Sequence, residues 1–288
     1  MALKTQNYVF IGLGLVLALG GLFYNHKDSN RAGEASGNFV EVDAMHYDES
    51  NDGKLIVLSG LVQSEGEIRD ISFGVSVNGV KLERTVESYQ WIEICENEGD
   101  SESEDDESSI ENCRYEREWR EELVDSSEYS DSRHNNPASR IYSSKVFVPE
   151  NITVGEYAIP AKLAKDLISE KLDLSSQEIL DVNYRLYDNY LTNSKDPTRP
   201  QTGDIRISYR YVPEQDVTVL AMQKNHSVEA YEMNEKTLFD ITKGKKSGSE
   251  MVEHIATKSR GFRNVFIVIG IALVAFGLIG KARTGKKS

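Results

Sequence analysis

VKLERTVESYQWIEI, residues 80–94, is the stretch on which the fold turns. Val80, Leu82, Arg84, Val86 and Ser88 alternate with Lys81, Glu83, Thr85 and Glu87, the period of two that a strand with one buried face requires. On either side lie shorter segments rich in β-branched and aromatic residues, at 39–47, 54–59, 75–77, 141–148, 182–187, 204–212, 217–222 and 228–233. Gly, Pro, Asn and Asp punctuate nearly every gap between them. One helical pattern interrupts the series: AKLAKDLISEKLDL, from Ala161 to Leu174, follows Pro160 and places Leu163, Ala164, Leu167, Ile168 and Leu172 on one face. Its expected role is to cover one face of the sheet, the alternative being a partner-binding helix. No internal repeat of about 20 to 50 residues is visible, which excludes solenoids and propellers. The pattern predicts one β-rich α+β domain over 39–245.

The flanks have a different character. Residues 5–25 and 264–280 are uncharged and apolar, the second reading NVFIVIGIALVAFGLIG. A helix rises about 1.5 Å per residue against a hydrocarbon core of about 30 Å, so both segments predict membrane-spanning helices. The first also fits a cleaved signal peptide, with Lys4 before the apolar run and Ala18-Leu19-Gly20 as a small-x-small site. Continuation of the run through Leu22, Phe23 and Tyr24 favours an anchor that is kept. Lys4 in one tail, and Lys281, Arg283, Lys286 and Lys287 in the other, place both tails in the cytoplasm. Lys258, Arg260 and Arg263 on the inner flank weigh the other way.

The expected layout is therefore a membrane protein with two transmembrane helices flanking one domain. A cytoplasmic tail (1–4), a first span (5–25) and a linker (26–38) precede an extracytoplasmic domain (39–245). A juxtamembrane segment (246–263), a second span (264–280) and a basic cytoplasmic tail (281–288) follow it.

A net charge of −14 excludes a nucleic-acid binder, because phosphate neutralisation needs a basic surface. Most of the excess is local: residues 96–111 hold nine acidic side chains and no basic one. Two cysteines, Cys95 and Cys113, flank this acidic loop, and the segments outside them read as the strands of a hairpin. A disulfide across the base of the loop fits that geometry and a non-cytoplasmic location, while two separate thiols are the other reading.

Chemistry is sparse. His26, His46, His134, His226 and His254 are scattered without metal-ligand spacing, and no G-x-S-x-G elbow is present. The tail GKARTGKK, 280–287, misses the Ser/Thr of a phosphate loop and follows no strand. The acidic loop lacks the alternating Asp pattern of a Ca²⁺ loop and reads as solvated. No catalytic residue, cofactor or metal site is expected, and the chain does not read as an enzyme.

Particular strings then matter more than pattern. GKLIVLSG (53–60), FGVSVNGVKL (73–82), VESYQWIE (86–93), Trp119-Arg120, Asn136-Pro137-Ala138-Ser139 and GDIRISY (203–209), in this order and spacing, resemble the transmembrane protein 43 family, also called LUMA. Phe23-Tyr24-Asn25 fits the same family, and the resemblance runs over about residues 20–265. Tyr89, Gln90, Trp91, Trp119, Asn136 and Pro137 carry its most specific parts. Tyr89 and Trp91 share one strand face, so a structural role in the hairpin core is expected, with a ligand site as the alternative.

The resemblance implies a membrane protein whose middle domain lies in a lumen or outside the cytoplasm, with no catalytic residues to carry over. It implies the endoplasmic reticulum or inner nuclear membrane in an animal cell, and the inner membrane in a bacterium. Animal members have several spans after the domain where this chain has one, so a short, bacterial form is expected and nuclear-envelope partners are not carried over. The functional expectation is a non-enzymatic membrane organiser or scaffold, in contact with the lipid bilayer and with its own copies or other membrane proteins. The alternative is a membrane-anchored receptor or sensor.

Overall fold

The structure, a computed structural model, describes residues 10–13, 15–17, 39–96, 112–233, 236–255, 257, 267–269 and 271–274. Strands dominate them. In chain order they are β1 (Phe39–Asp43), β2 (Leu55–Ser64), β3 (Ile68–Asp70), β4 (Val75–Val77), β5 (Lys81–Glu96) and β6 (Asn112–Arg120). Next come β7 (Lys145–Phe147), β8 (Ile152–Val154), β9 (Tyr157–Ala158), β10 (Glu170–Lys171), β11 (Arg185–Tyr187) and β12 (Tyr190–Thr192). The series ends with β13 (Ile205–Val212), β14 (Gln215–Lys224), β15 (Ser227–Glu229), β16 (Tyr231–Met233), β17 (Lys236–Leu238) and β18 (Asp240–Lys243).

The expectation of two spanning helices around one α+β domain is corrected. Among the described residues no helix is long and apolar enough to cross a membrane. The apolar segments 5–25 and 264–280 are described only at 10–13, 15–17, 267–269 and 271–274, as short helical pieces, and their remainder lies outside the described residues. The tails 1–4 and 281–288, the whole linker 26–38 and residues 97–111 of the acidic loop also lie outside them.

The helix expected over 161–174 is corrected as well. α1 spans Ala161–Lys165 and is capped at Asp166, whose N–H bonds back to Leu163 and Ala164 carbonyls. The chain then extends into β10, which pairs with Arg210 and Tyr211 of β13. The apolar stripe is real, but it serves two cores. Leu163 and Ala164 belong to one compact unit, Leu167, Leu172 and Leu174 to another, and Ile168 is left 88% exposed.

The stretch 39–245 is divided between those two units. The first comprises Met1–Val62, Thr153–Asp166 and Gln215–Ser288. Its sheet runs β1-β2-β8-β9-β15-β14-β18, and the further pairing of β2 with β14 closes the ring of neighbours. β14 turns into β15 through Asn225 and His226, both at positive φ, which matches the twist of a two-residue hairpin loop. Leu55, Val57, Leu220 and Leu238 pack with Met251 and Ile255 from a helical segment over 248–255.

The second unit comprises Gln63–Ile152 and Leu167–Glu214. Its antiparallel sheet runs β11-β12-β13-β5-β6, with β10 on β13 and β7 on β5. Alternation along β5 does what the sequence demands: Leu82, Arg84, Val86, Ser88 and Gln90 are buried, and the odd-numbered residues from Glu83 to Trp91 are half-buried. Leu82 and Val86 join Phe73, Val75, Leu174, Leu191, Ile207 and Tyr209 in one core. Arg84 lies within it, donating to Asp70 Oδ2 at 2.6 Å while Tyr209 donates to the same oxygen at 2.7 Å.

Tyr184 packs against this core, and burial pushes its hydroxyl up to about 12 from an ordinary 10.0. A tyrosine that holds its proton longer when folded gives stability that is complete below the unfolded value and is lost as pH rises through the folded one. The unit is therefore expected to lose stability between about pH 10 and pH 12, and Tyr184→Phe to flatten that decline in urea melts across the range. An identical slope in the variant would contradict the assignment.

Candidate functional site

The hairpin of β5 and β6 gathers the sequence-selected residues. Its register sets Tyr89 opposite Trp119, Gln90 opposite Glu118, Trp91 opposite Arg117 and Cys95 opposite Cys113. Opposed residues share a face, so Tyr89, Trp91, Arg117 and Trp119 stand together on the outer side of the sheet. There they form a row of rings and cations. Arg117 lies 4.8 Å from the Trp91 ring centre and 5.5 Å from that of Tyr89. Tyr89 and Trp119 are 5.1 Å apart, and Arg206 of β13 lies 4.8 Å over Trp119. Two bonds from Arg206 to Glu87, at 2.6 and 2.8 Å, fix that guanidinium. Each cation–π contact at a half-exposed site contributes about 0.5–1 kcal/mol, so the row orders a surface more than it holds the fold.

Gln90 is on the other face, fully buried. The expectation that the two aromatics fill the hairpin core is thus reversed, and parity is the reason. Gln90 is an even number of residues from Val86 and Leu82, which the core takes. Its amide is satisfied by the chain that leaves β6: Nε2 donates to Glu122 O at 2.8 Å, and Oε1 accepts from Val124 N–H at 2.8 Å.

Asn136 does the complementary task at the strand edge. Beyond Ser88, β5 has run past β13, and Trp91 would leave its backbone groups open. Asn136 Oδ1 accepts from Trp91 N–H at 2.7 Å, and its Nδ2 donates to Trp91 O at 2.9 Å. One side-chain amide thereby stands in for a neighbouring strand residue. Pro137 follows, and a Cβ on Gly203, whose φ is +93°, would come 3.2 Å from the proline ring. Asn136→Ala is expected to destabilise the unit by about 1–3 kcal/mol and to speed amide exchange at Trp91, since Trp91 N–H loses its acceptor while Trp91 O keeps the Tyr129 hydroxyl at 2.9 Å. Unchanged exchange at Trp91 would show that the bonds do not matter.

The far end of the hairpin is tied twice. Cys95 and Cys113 are joined in a disulfide. Below it, Glu93 Oε1 accepts from Tyr115 hydroxyl at 2.6 Å and from Ser130 N–H at 2.8 Å. The Tyr115 bond holds the Glu93 carboxyl below its ordinary range and raises the Tyr115 hydroxyl. His134 stacks on Tyr115 at 3.8 Å and meets Trp91 edge-on at 4.5 Å. Glu93 and the two sulfurs lie within 4.8 Å of one another, yet sulfurs bonded to each other offer no thiolate to a metal.

Sequence reasoning missed Arg117 and Arg206. Nothing local marks them, because pairing across β6, β5 and β13 is what brings them to the rings. For Gln90 the signal was present in the period-two pattern.

The chain matches the family described as Transmembrane protein 43 over residues 88–283, which includes the hairpin and Asn136. Among individual relatives, Transmembrane protein 43 of Rattus norvegicus is 28% identical over 247 residues, covering 79% of this chain and 61% of that one. The Homo sapiens protein of the same name is 27% identical over 240 residues, covering 77% and 60%. The Drosophila melanogaster homolog is 26% identical over 217 residues, covering 69% and 56%. The chain thus spans about three fifths of the length of the relatives it matches. No solved structure matches.

Proposed function

The chain belongs to the transmembrane protein 43 family, and from that premise we propose a non-enzymatic, membrane-associated organiser whose β-rich units lie outside the cytoplasm and bind other membrane proteins or further copies of the chain. The relatives are named as membrane proteins, which supports association with a membrane. A disulfide favours an oxidising compartment, and so the extracytoplasmic or lumenal side.

The observation that carries the binding role is the outer face of the hairpin. Trp91, Arg117, Tyr89, Trp119 and Arg206 are ordered against one another and half-exposed or exposed. Aromatic residues and arginine are the side chains in which interface energy concentrates. Nothing in this row resembles a nucleophile beside a base.

Cross-linking in native membranes followed by purification in mild detergent tests the reading. The parent chain is expected in assemblies with itself or with membrane proteins. Arg117→Glu is expected to weaken them while changing stability by less than about 1 kcal/mol, as an exposed substitution should. A single-chain species with no membrane partner, in parent and variant alike, would refute the proposal.

A further inference from the structure

Within the second unit lies a cavity of about 180 Å³ that the hairpin surface does not use. Its wall includes Val86, Ser88 and Ile205 from β5 and β13, Arg140 and Tyr142 from the chain leading to β7, and Asn193. Two polar groups on this wall have no partner. Ser88 is 2% exposed and its Oγ makes no hydrogen bond, and Arg140 Nη1 is buried and makes none. Asn193 commits its Oδ1 to Ile205 N–H at 2.7 Å, so the group it can offer is the NH₂ donor. Among the described residues the wall holds one cation and no carboxylate.

A guanidinium nitrogen removed from water without an acceptor is among the most unfavourable arrangements a fold can hold. Water answers part of the need, since the site is polar and has room for several molecules. Water brings no charge, however. A carboxylate or phosphate oxygen accepts charge-assisted bonds from a guanidinium, and a hydroxyl and an amide beside it complete a donor set for one small oxyanion. The apolar share of the wall, from Val86, Ile205 and the Tyr142 ring, suits a short carbon portion next to that anion.

We propose that this cavity is a binding site for a small oxyanion group, a carboxylate or a phosphate, held by Arg140 with Ser88 and Asn193 as further donors. The proposal does not depend on the organiser role. A phosphate could arrive as a soluble compound or as the headgroup of an anionic lipid, and the chemistry at Arg140 is the same for both.

The test titrates the full-length chain, purified in zwitterionic detergent, with inorganic phosphate and with butyrate, following binding by calorimetry and by amide exchange at Ser88 and Ile205. A parallel titration uses nanodiscs with and without phosphatidic acid. Saturable binding of either soluble anion identifies a soluble source, and binding seen only with phosphatidic acid identifies the lipid headgroup. Arg140→Gln is expected to weaken binding about ten- to hundredfold and Ser88→Ala by about a few-fold, as losing bonds to a charged group does. Arg133→Gln, which removes an equal charge from an exposed site, is expected to leave it unchanged. Should Arg140→Gln fail to fold, Arg140→Lys keeps the charge and is expected to bind more weakly through loss of the planar fork. No saturable binding of phosphate, butyrate or phosphatidic acid to the parent chain overturns the proposal, as does undiminished binding in the folded Arg140→Gln variant.

Discussion

Arg84→Met is expected to destabilise the second unit by about 3–5 kcal/mol, the loss that follows when one member of a buried ion pair is removed. Arg84 and Asp70 are 6% and 1% exposed. The arginine donates to Asp70 at 2.6 Å and, through Nε and Nη2, to Ser143 O at 3.1 and 2.9 Å. Its guanidinium also lies 5.5 to 5.9 Å from the ring centres of Phe73, Tyr142 and Phe147. Methionine restores the volume and leaves Asp70 with Tyr209 and Ser72 as donors and no countercharge. Removing the polar groups together, as Asp70→Leu, Arg84→Met and Tyr209→Phe, is expected to recover most of the loss, because no charge is then stranded. Urea melts of the single and triple variants decide the matter. A single-variant loss below about 1 kcal/mol would mean that water reaches this network.

Replacing Cys95 and Cys113 with serine is the second large change. The bridge joins residues 18 apart in sequence, and in the chain-entropy account a loop of this order contributes about 3 kcal/mol. The contribution reaches the whole unit because β5 is continuous: its first half pairs with β13 and its second half with β6. Oxidised and reduced parent protein are expected to differ in urea midpoint by the same amount as parent and double variant. Equal midpoints would show that the hairpin end opens on its own, apart from the core around Phe73 and Tyr209.

The long run at 80–94 was legible because period-two alternation is a local property, and so was the hairpin that carries Cys95 and Cys113. The stripe over 161–174 misled for the opposite reason. Periodicity reports that residues can share a face, and it is silent on whether two different cores divide them. At 5–25 and 264–280 hydropathy reports how a segment partitions, and most of both segments lies outside the described residues. Asn136 stood out as a string, but its task appears only once β5 outruns β13. Arg140, Ser88 and Asn193 come from segments far apart in the chain, and no spacing rule joins them.

The account rests on a hairpin that forms its disulfide in an oxidising compartment. The direct measurement uses the two cysteines of the chain. Native cells are quenched in acid, free thiols are blocked with N-ethylmaleimide, and the denatured chain is then reduced and treated with a polyethylene-glycol maleimide. Two added polymer chains per molecule are the predicted result, and they place the hairpin outside the cytoplasm. A chain that gains none, because both thiols were free in the living cell, would contradict the disulfide and the extracytoplasmic assignment together.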